Sequence, residues 1–398
     1  MKKIIAILAM IALVSGAAFA EISVGGHFIG TVNVLQSDTS KATDGEIFGS
    51  AGFDRVRLEA SGSDEDGKFG GWLRIGDEPG GGVLAGLAWW KPIDQFKLTI
   101  GGNPDGIFGK EGVTGWMFYQ TVTDTGVAMG GENVWGWDLT NSAANYWDDG
   151  LAGLGALVKT RSAFYEGFGG NGLLLEIKPA EVFGINVALP YFDGGLVEDV
   201  FGALTVQFDV NLDFGNIALT YVGDANKTAD DKKVTNGKVF LYAGIGAIEN
   251  VALDIGLGVT LAGEEEGHPI AVGLGAKVDI SETFGLKARV TATLGGDKNK
   301  NDGDTAFLFD LLPYFAINEN MTVFVSVGLT MRLPENSDMD SGMGFHFNPY
   351  LQVGSEWGPK FLAGIKVWQI AASEKYYEPF NGDAFINWAV PIALNVSF

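Results

Sequence analysis

Apolar residues alternate with small or polar residues from one end of this 398-residue chain to the other. In residues 251–262 the apolar row is Val251, Leu253, Ile255, Leu257, Val259 and Leu261, and the row between is Ala252, Asp254, Gly256, Gly258, Thr260 and Ala262. Residues 272–280 and 321–332 repeat the pattern. Because successive side chains of a strand point to opposite faces, the pattern predicts many strands with one apolar face and one small or polar face.

The length and spacing of the alternating segments predict where such strands lie. Each segment has about ten residues or more, the length that a tilted strand needs to cross a bilayer. Short connections such as 91–94, 178–181 and 248–250 alternate with longer polar stretches such as 223–236 and 295–304. Short turns at one end and long loops at the other are typical of outer-membrane barrels, and a soluble sandwich has no reason to keep this asymmetry. The sequence therefore predicts an all-β fold, an antiparallel up-and-down transmembrane β-barrel.

Strand starts are expected near residues 21, 50, 67, 82, 94, 171, 181, 200, 213, 237, 250, 268, 282, 304, 319, 343, 357 and 384. This gives about eighteen strands. The number rises to twenty if residues 103–170 contain a further hairpin, and it falls to sixteen if a weak early pair does not form.

The two termini fit export and barrel closure. Residues 1–20 predict a signal peptide cleaved after Ala20, because a basic start and an apolar run of 4–14 precede Ala18-Phe19-Ala20. An N-terminal anchor is the alternative, but that apolar run is too short to span a bilayer. Residues 21–398 then form one barrel domain in the cell outer membrane. The last strand, "AVPIALNVSF", is expected to pair with the first, and the alternative is a soluble sandwich strand that ends on phenylalanine.

Composition excludes several function classes. The net charge of −23 disfavours nucleic-acid binding, which needs a basic surface. The chain has no cysteine, and its three histidines, His27, His268 and His346, are far apart in sequence, so no metal site is expected. No catalytic motif such as G-x-S-x-G stands out, so we expect neither an enzyme nor a cofactor.

The terminal strand and the overall pattern resemble outer-membrane porins of the Gram-negative type. Segments such as "WWKPIDQFKLTIGGNPDGIFG" (89–109) and "ALPYFDGGLVEDVF" (188–201) are similar to outer-membrane barrel proteins of spirochaetes, treponemes in particular. The resemblance implies a diffusion channel and allows a homotrimer. It also implies that the terminal strand is an assembly signal read by the barrel-assembly machinery, formed by Ile392, Leu394, Val396 and Phe398.

The face opposite the apolar rows is expected to line the lumen, because charged side chains on the lipid face cost roughly 2–4 kcal/mol at the bilayer midplane. Its expected basic residues are Arg55, Arg57, Arg74, Lys97, Lys238, Lys277, Lys287, Arg289, Arg332 and Lys366. Its expected acidic residues are Glu59, Asp209, Asp254, Asp279 and Asp310. Much of the remaining face is small, which predicts a lumen that holds water.

Residues 103–170 form the longest stretch without alternation and are rich in aromatic and acidic residues. They resemble the loop that folds into the lumen of porins. The hypothesis is a constriction in which loop carboxylates face basic residues of the wall, with Asp105, Glu111, Trp116, Tyr119, Asp124 and Glu132 as candidates. The alternative is a loop that packs over the barrel mouth or makes a subunit contact.

The predicted function is a porin-like outer-membrane channel for passive diffusion of small hydrophilic solutes. One alternative is a saccharide-selective channel, since the loop aromatics offer flat surfaces for sugar rings. The other is a plugged structural or adhesin barrel without channel activity.

Overall fold

A computed structural model of the chain describes residues 21–37, 47–78, 81–102, 171–190, 204–223, 235–262, 270–294, 305–333, 342–354, 359–371 and 385–397. The regular structure in these ranges is strand: β1 (Glu21–Ser37), β2 (Ile47–Ser63), β3 (Phe69–Glu78), β4 (Gly81–Ile93), β5 (Phe96–Gly102), β6 (Asn171–Ala180), β7 (Phe183–Pro190), β8 (Thr205–Leu212), β9 (Gly215–Val222), β10 (Thr235–Ile248), β11 (Val251–Ala262), β12 (Ile270–Asp279), β13 (Phe284–Leu294), β14 (Thr305–Asn318), β15 (Met321–Leu333), β16 (Gly342–Gly354), β17 (Lys360–Gly364), β18 (Lys366–Ala371) and β19 (Phe385–Ser397). Within the ranges given, no helix is long and apolar enough to cross a bilayer.

The described strands form a closed antiparallel ring. Neighbours in the chain pair with each other, and β19 pairs with β1 through contacts such as Ile392 opposite Val32. β17 and β18 are two parts of one strand, because both lie between β16 and β19 and keep one register across Ile365. The ring therefore has eighteen strands, which confirms the predicted fold, the predicted strand number and the pairing of the last strand with the first.

The pairing of β5 with β6 fixes the strand number at eighteen. Phe96 lies opposite Ile177 and Gly102 opposite Asn171, so no further strand stands between these two. Residues 103–170 connect two neighbours in the wall. Closure also satisfies the backbone groups that an open sheet edge would leave unpaired in lipid.

The connections differ strongly between the two ends of the barrel. Eight connections at one end, here named the short-turn end, have two to five residues: 64–68, 94–95, 181–182, 213–214, 249–250, 280–283, 319–320 and 355–359. At the opposite end, the connection at 79–80 has two residues and the others have seven to sixty-eight. The expected asymmetry is present, with 79–80 as its exception.

The two faces of the ring have opposite chemistry. Large apolar side chains occupy every second position on one face of these strands and are exposed. Examples are Leu219 and Leu241, each 44% exposed, and Leu274, which is 47% exposed. The other face carries buried polar side chains such as Gln207 and Asp254, each 2% exposed. Side chains converge on the concave side of a closed sheet and spread on the convex side. The polar face is therefore the inner face, and the apolar face is the outer one.

Large aromatic side chains on the inner face lie opposite glycines of the neighbouring strand. A Cβ at Gly70 would overlap the indole of Trp89, and a Cβ at Gly285 would overlap the ring of Tyr314. The absence of a side chain at these glycines lets the rings lie flat on the sheet. The pairs are Trp89 with Gly70, Phe240 with Gly258, Tyr242 with Gly256, Tyr314 with Gly285, and Tyr350 with Gly364.

The inner face also carries large apolar side chains. Phe240 is 2% exposed and Leu362 is 0% exposed, and both point inward by register. Gly70 and Gly285 are each covered by an aromatic ring from the next strand.

Candidate functional site

Cross-strand register places all fifteen predicted wall residues on the inner face. The side chains that the structure describes are those of Arg57, Arg74, Lys97, Lys277, Lys287, Glu59, Asp209, Asp254 and Asp279. The side chains of Arg55, Lys238, Arg289, Arg332, Lys366 and Asp310 lie outside the described residues, although their backbones belong to strands. The role of this face in lining a pore stays a prediction.

Arg74 and Glu59 form a partly buried ion pair. They lie directly opposite each other on β3 and β2, with Arg74 Nε 2.7 Å from Glu59 Oε1. The Arg74 side chain is 7% exposed and that of Glu59 is 34% exposed. The guanidinium also lies 4.9 Å from the centroid of Trp72, a cation–π distance. Removing one partner of such a pair would leave a charge in a site where desolvation is costly.

Lys97 takes its partner from the next strand. Its Nζ lies 2.9 Å from Glu176 Oε2, and the two residues are directly opposite on β5 and β6. Nζ is also 5.9 Å from the centroid of the Trp89 indole. Both side chains are partly exposed, so this pair holds the ammonium in place more than it stabilises the barrel.

Asp209 is the centre of a hydrogen-bond network on β7, β8 and β9. Asn186 Nδ2 donates to Asp209 Oδ2 at 2.8 Å, and Gln207 Nε2 donates to Oδ1 at 2.9 Å. Thr220 Oγ1 donates in turn to Gln207 Oε1 at 3.2 Å. Asp209 is 5% exposed and Gln207 is 2% exposed. A buried carboxylate is tolerated here because amide donors replace its water shell.

Two further acidic residues accept hydrogen bonds from tyrosines. Tyr242 Oη donates to Asp254 Oδ1 at 2.5 Å. Tyr314 reaches from β14 across Gly285 on β13 to donate to Asp279 on β12. Lys277 Nζ lies 3.2 Å from the other Asp279 oxygen. The wall itself therefore supplies acidic partners for Arg74, Lys97 and Lys277.

Three aromatic side chains lie together on the inner face of β14, β15 and β16. Phe324 and Tyr350 are stacked with ring centroids 4.9 Å apart, and Tyr314 lies 6.0 Å from Phe324. Asn348 is 0% exposed, and both polar atoms of its side chain lack a hydrogen-bond partner in the described part of the chain.

The closing seam joins the ends of the chain through side chains as well as backbone. His27 Nε2 lies 2.7 Å from Asn395 Oδ1, on β1 and β19. Ile392, Leu394 and Val396 lie in register with Val32, Gly30 and Phe28 on the outer face, and Leu394 is 48% exposed. Phe398 lies outside the described residues. The role of these four C-terminal residues as an assembly signal stays a prediction.

The candidates for the constriction all fall outside the described residues, in 103–170: Asp105, Glu111, Trp116, Tyr119, Asp124 and Glu132. Residues 1–20 also lie outside them. Within the described ranges, no group of three or more His, Asp or Glu side chains could hold a metal ion. The constriction and the signal peptide stay predictions.

Acidic residues lie in most turns of the short-turn end. Seven of its eight turns carry a described acidic residue: Asp64, Asp94, Glu181, Asp213, Glu249, Glu282 and Glu319. Lys91 Nζ lies 2.8 Å from Asp94 Oδ1, and this hydrogen bond and the ammonium charge hold the pKa of the Asp94 carboxyl below its ordinary value. The short-turn rim is therefore acidic around an inner face that carries many bases.

Sequence reasoning missed several polar residues of the inner face. Glu176 and Lys360 are the charged examples, and Lys360 is only 7% exposed. Glu176 follows three leucines, which hide the alternation of β6, and Leu174 among them points inward and is 3% exposed. If the pairing of β5 with β6 had been known, the inner position of Lys97 would have placed Glu176 opposite it. The sequence of a single strand does not give this pairing.

No protein-family model and no curated protein matches the chain. Among solved structures, the outer membrane channel DcaP of Acinetobacter baumannii matches with a TM-score of 0.51 and 10% identity, over 95% of this chain and 97% of that one. In-vitro folded OmpT, an outer membrane protein of Vibrio cholerae, matches with a TM-score of 0.50 and 8% identity, over 96% of this chain and 99% of that one. At these identities the likeness shows the fold, a closed barrel of the kind that outer-membrane channels have.

Proposed function

We propose that this protein is an outer-membrane channel through which small hydrophilic solutes diffuse passively. The observation that carries the proposal is the closed ring of eighteen strands, whose outer face is apolar and whose inner face is polar and charged. Barrels of 16–18 strands are wide enough to leave an aqueous channel. An apolar outer face needs lipid, because exposed apolar rows of this extent would make the protein aggregate in water.

Liposome swelling tests this function directly. Residues 21–398 are refolded into vesicles, which are then diluted into isotonic solutions of uncharged solutes of increasing size. We expect rapid swelling with the smallest sugars and a steady decrease with solute size. Vesicles that contain folded protein and do not swell with any solute would refute passive diffusion.

One observation favours a plugged structural barrel as a second candidate. Inner-face side chains such as Gln207, Phe240, Asn348 and Leu362 are at most 2% exposed, so the part of the lumen beside them is tightly packed. A plugged barrel would give no swelling and no single-channel current. The saccharide-selective alternative predicts swelling together with a concentration-dependent block of the current by oligosaccharides.

Ion selectivity follows from two opposed sets of charges. Acidic residues on the short turns attract cations, and inner bases attract anions. We propose that the inner bases dominate, because the field of the exposed rim is screened within about 8–10 Å at physiological salt. The reversal potential in a salt gradient measures the balance, and changing Arg289 and Arg332 to Ala should shift it toward cations. An unshifted potential would assign selectivity to the rim.

The proposal also covers the partners of the barrel, its oligomeric state and its similarity to spirochaete proteins. The expected partners are outer-membrane lipid, small hydrophilic solutes and the barrel-assembly machinery, which would read the last strand through Phe398. A homotrimer is the assembly to test, by cross-linking in native membranes. The similarity to spirochaete barrels rests on residues 89–109 and 188–201 of the sequence.

A further inference from the structure

A cavity of about 450 Å³ opens in the inner face at the short-turn end of β4, β5 and β6. This volume is within the range of roughly 300–1,000 Å³ that is typical of small-molecule sites. Its lining includes Leu87, Trp89, Lys91, Lys97 and Glu176. Leu87, Trp89, Lys97 and Glu176 point inward by register, so this part of the cavity belongs to the proposed lumen surface.

The floor of the cavity is a flat apolar surface. Trp89 lies over Gly70 of β3, where a Cβ would overlap the indole, so the ring is held against the sheet. Leu87 continues this surface along β4. Lys97 is anchored by Glu176 at 2.9 Å and has its ammonium 5.9 Å from the centroid of the indole. The floor therefore has one flat ring with a fixed cation beside it.

The charges around the floor favour an anion. Three lysines and two carboxylates line the cavity, which gives a net charge of +1. Glu176 is paired with Lys97, and Asp94 with Lys91. Lys178 is exposed and has no acidic partner among the described residues. The Lys91–Asp94 pair is exposed and weak, so Lys91 is also available to an anionic ligand.

We propose that this cavity is a binding subsite for small planar aromatic monoanions, whose ring packs on Trp89 and whose anionic group meets Lys178 and Lys91. The subsite deepens the proposed channel function, because it would collect such solutes on their path through the barrel. A flat ring suits the indole better than a bulky aliphatic group does. A single negative charge matches the excess of one lysine.

Saturation-transfer difference NMR on the detergent-solubilised barrel tests the subsite with benzenesulfonate, which is anionic at all working pH values. Two matched probes separate the contributions: methanesulfonate lacks the ring, and benzenesulfonamide lacks the charge. We expect benzenesulfonate to bind more tightly than either. Equal affinity of benzenesulfonate and benzenesulfonamide would overturn the role of the lysines.

Three variants test whether benzenesulfonate binds in this cavity. Lys178→Gln should weaken benzenesulfonate binding by about twofold to fivefold, as expected for one exposed charge pair. Lys68→Gln removes a lysine that is 52% exposed on another short turn and does not line the cavity, and it should change nothing. Trp89→Leu should weaken benzenesulfonate by about threefold to tenfold and leave methanesulfonate unchanged. If Lys178→Gln behaves like Lys68→Gln, the subsite is wrong.

The binding experiment and the channel experiment fail independently. Binding in detergent does not require an open pore, so benzenesulfonate binding without solute flux would refute only the channel. Solute flux without benzenesulfonate binding would refute only the subsite. Trp89→Leu removes a ring that packs on β3 and could therefore impair folding. Each variant is first tested for a folded barrel by its resistance to SDS at room temperature.

Discussion

An arginine at Leu274 should destabilise the barrel strongly, because this residue lies on the outer face near the middle of β12. Leu274 is 47% exposed and lies between Ile255 and Val290 on the adjacent strands. It is five residues from the end of β12 at Asp279. At about 3.3 Å per residue and a tilt of about 45°, this is roughly 12 Å, half of an apolar band about 25 Å tall. Arginine at such a depth costs about 2–4 kcal/mol.

The same substitution at Ile280 is the matched control. Ile280 lies just beyond β12, in the short turn, and is 59% exposed. Near the interface the cost of arginine falls to about 0–1 kcal/mol. Both variants are unfolded by guanidinium in phospholipid vesicles, with tryptophan fluorescence as the signal. Equal losses for Leu274→Arg and Ile280→Arg, or no loss for Leu274→Arg, would refute the assignment of this face to lipid.

Three further substitutions or deletions test other parts of the wall. Glu59→Gln removes the carboxylate charge 2.7 Å from Arg74 Nε and should lower the unfolding free energy by about 1–3 kcal/mol in the same vesicle assay. The loss is expected to be smaller than for a fully buried pair, because the Glu59 side chain is 34% exposed. An unchanged unfolding free energy would show that this charge does not stabilise the barrel. Gly285→Ala places a methyl group against the ring of Tyr314, and should lower the unfolding free energy by about 1–3 kcal/mol; an unchanged midpoint would mean that the ring can move at no cost. Deleting residues 112–150 should raise single-channel conductance if this segment narrows the lumen, and unchanged conductance would exclude that role.

The fold could be predicted because alternation is a local property. The eighteen expected strand starts agree with the observed ones within five residues, and the largest difference is at β8, expected near 200 and observed at Thr205. Two-residue periodicity assigns a face to every residue of a regular strand, so the inner position of residues such as Arg57 and Asp254 also follows from the sequence.

The contacts of the inner face could not be predicted, because they depend on register between strands. The partnership of Lys97 with Glu176 and the reach of Tyr314 to Asp279 involve residues 79 and 35 positions apart. For the same reason, the sequence does not show whether an inner-face glycine is open to the lumen or covered by a neighbouring side chain. In one strand Gly285 looks like an empty lumen position, and only the pairing with β14 shows that Tyr314 covers it.

Single-channel conductance in a planar lipid bilayer tests the central claim most directly, since it depends on a closed barrel with a wet interior. Residues 21–398 are refolded, and their insertion into the bilayer lipid is verified by flotation of matched vesicles. We expect discrete, uniform steps of current in potassium chloride. Folded, inserted protein that gives no current steps would contradict the account and leave the plugged barrel in its place.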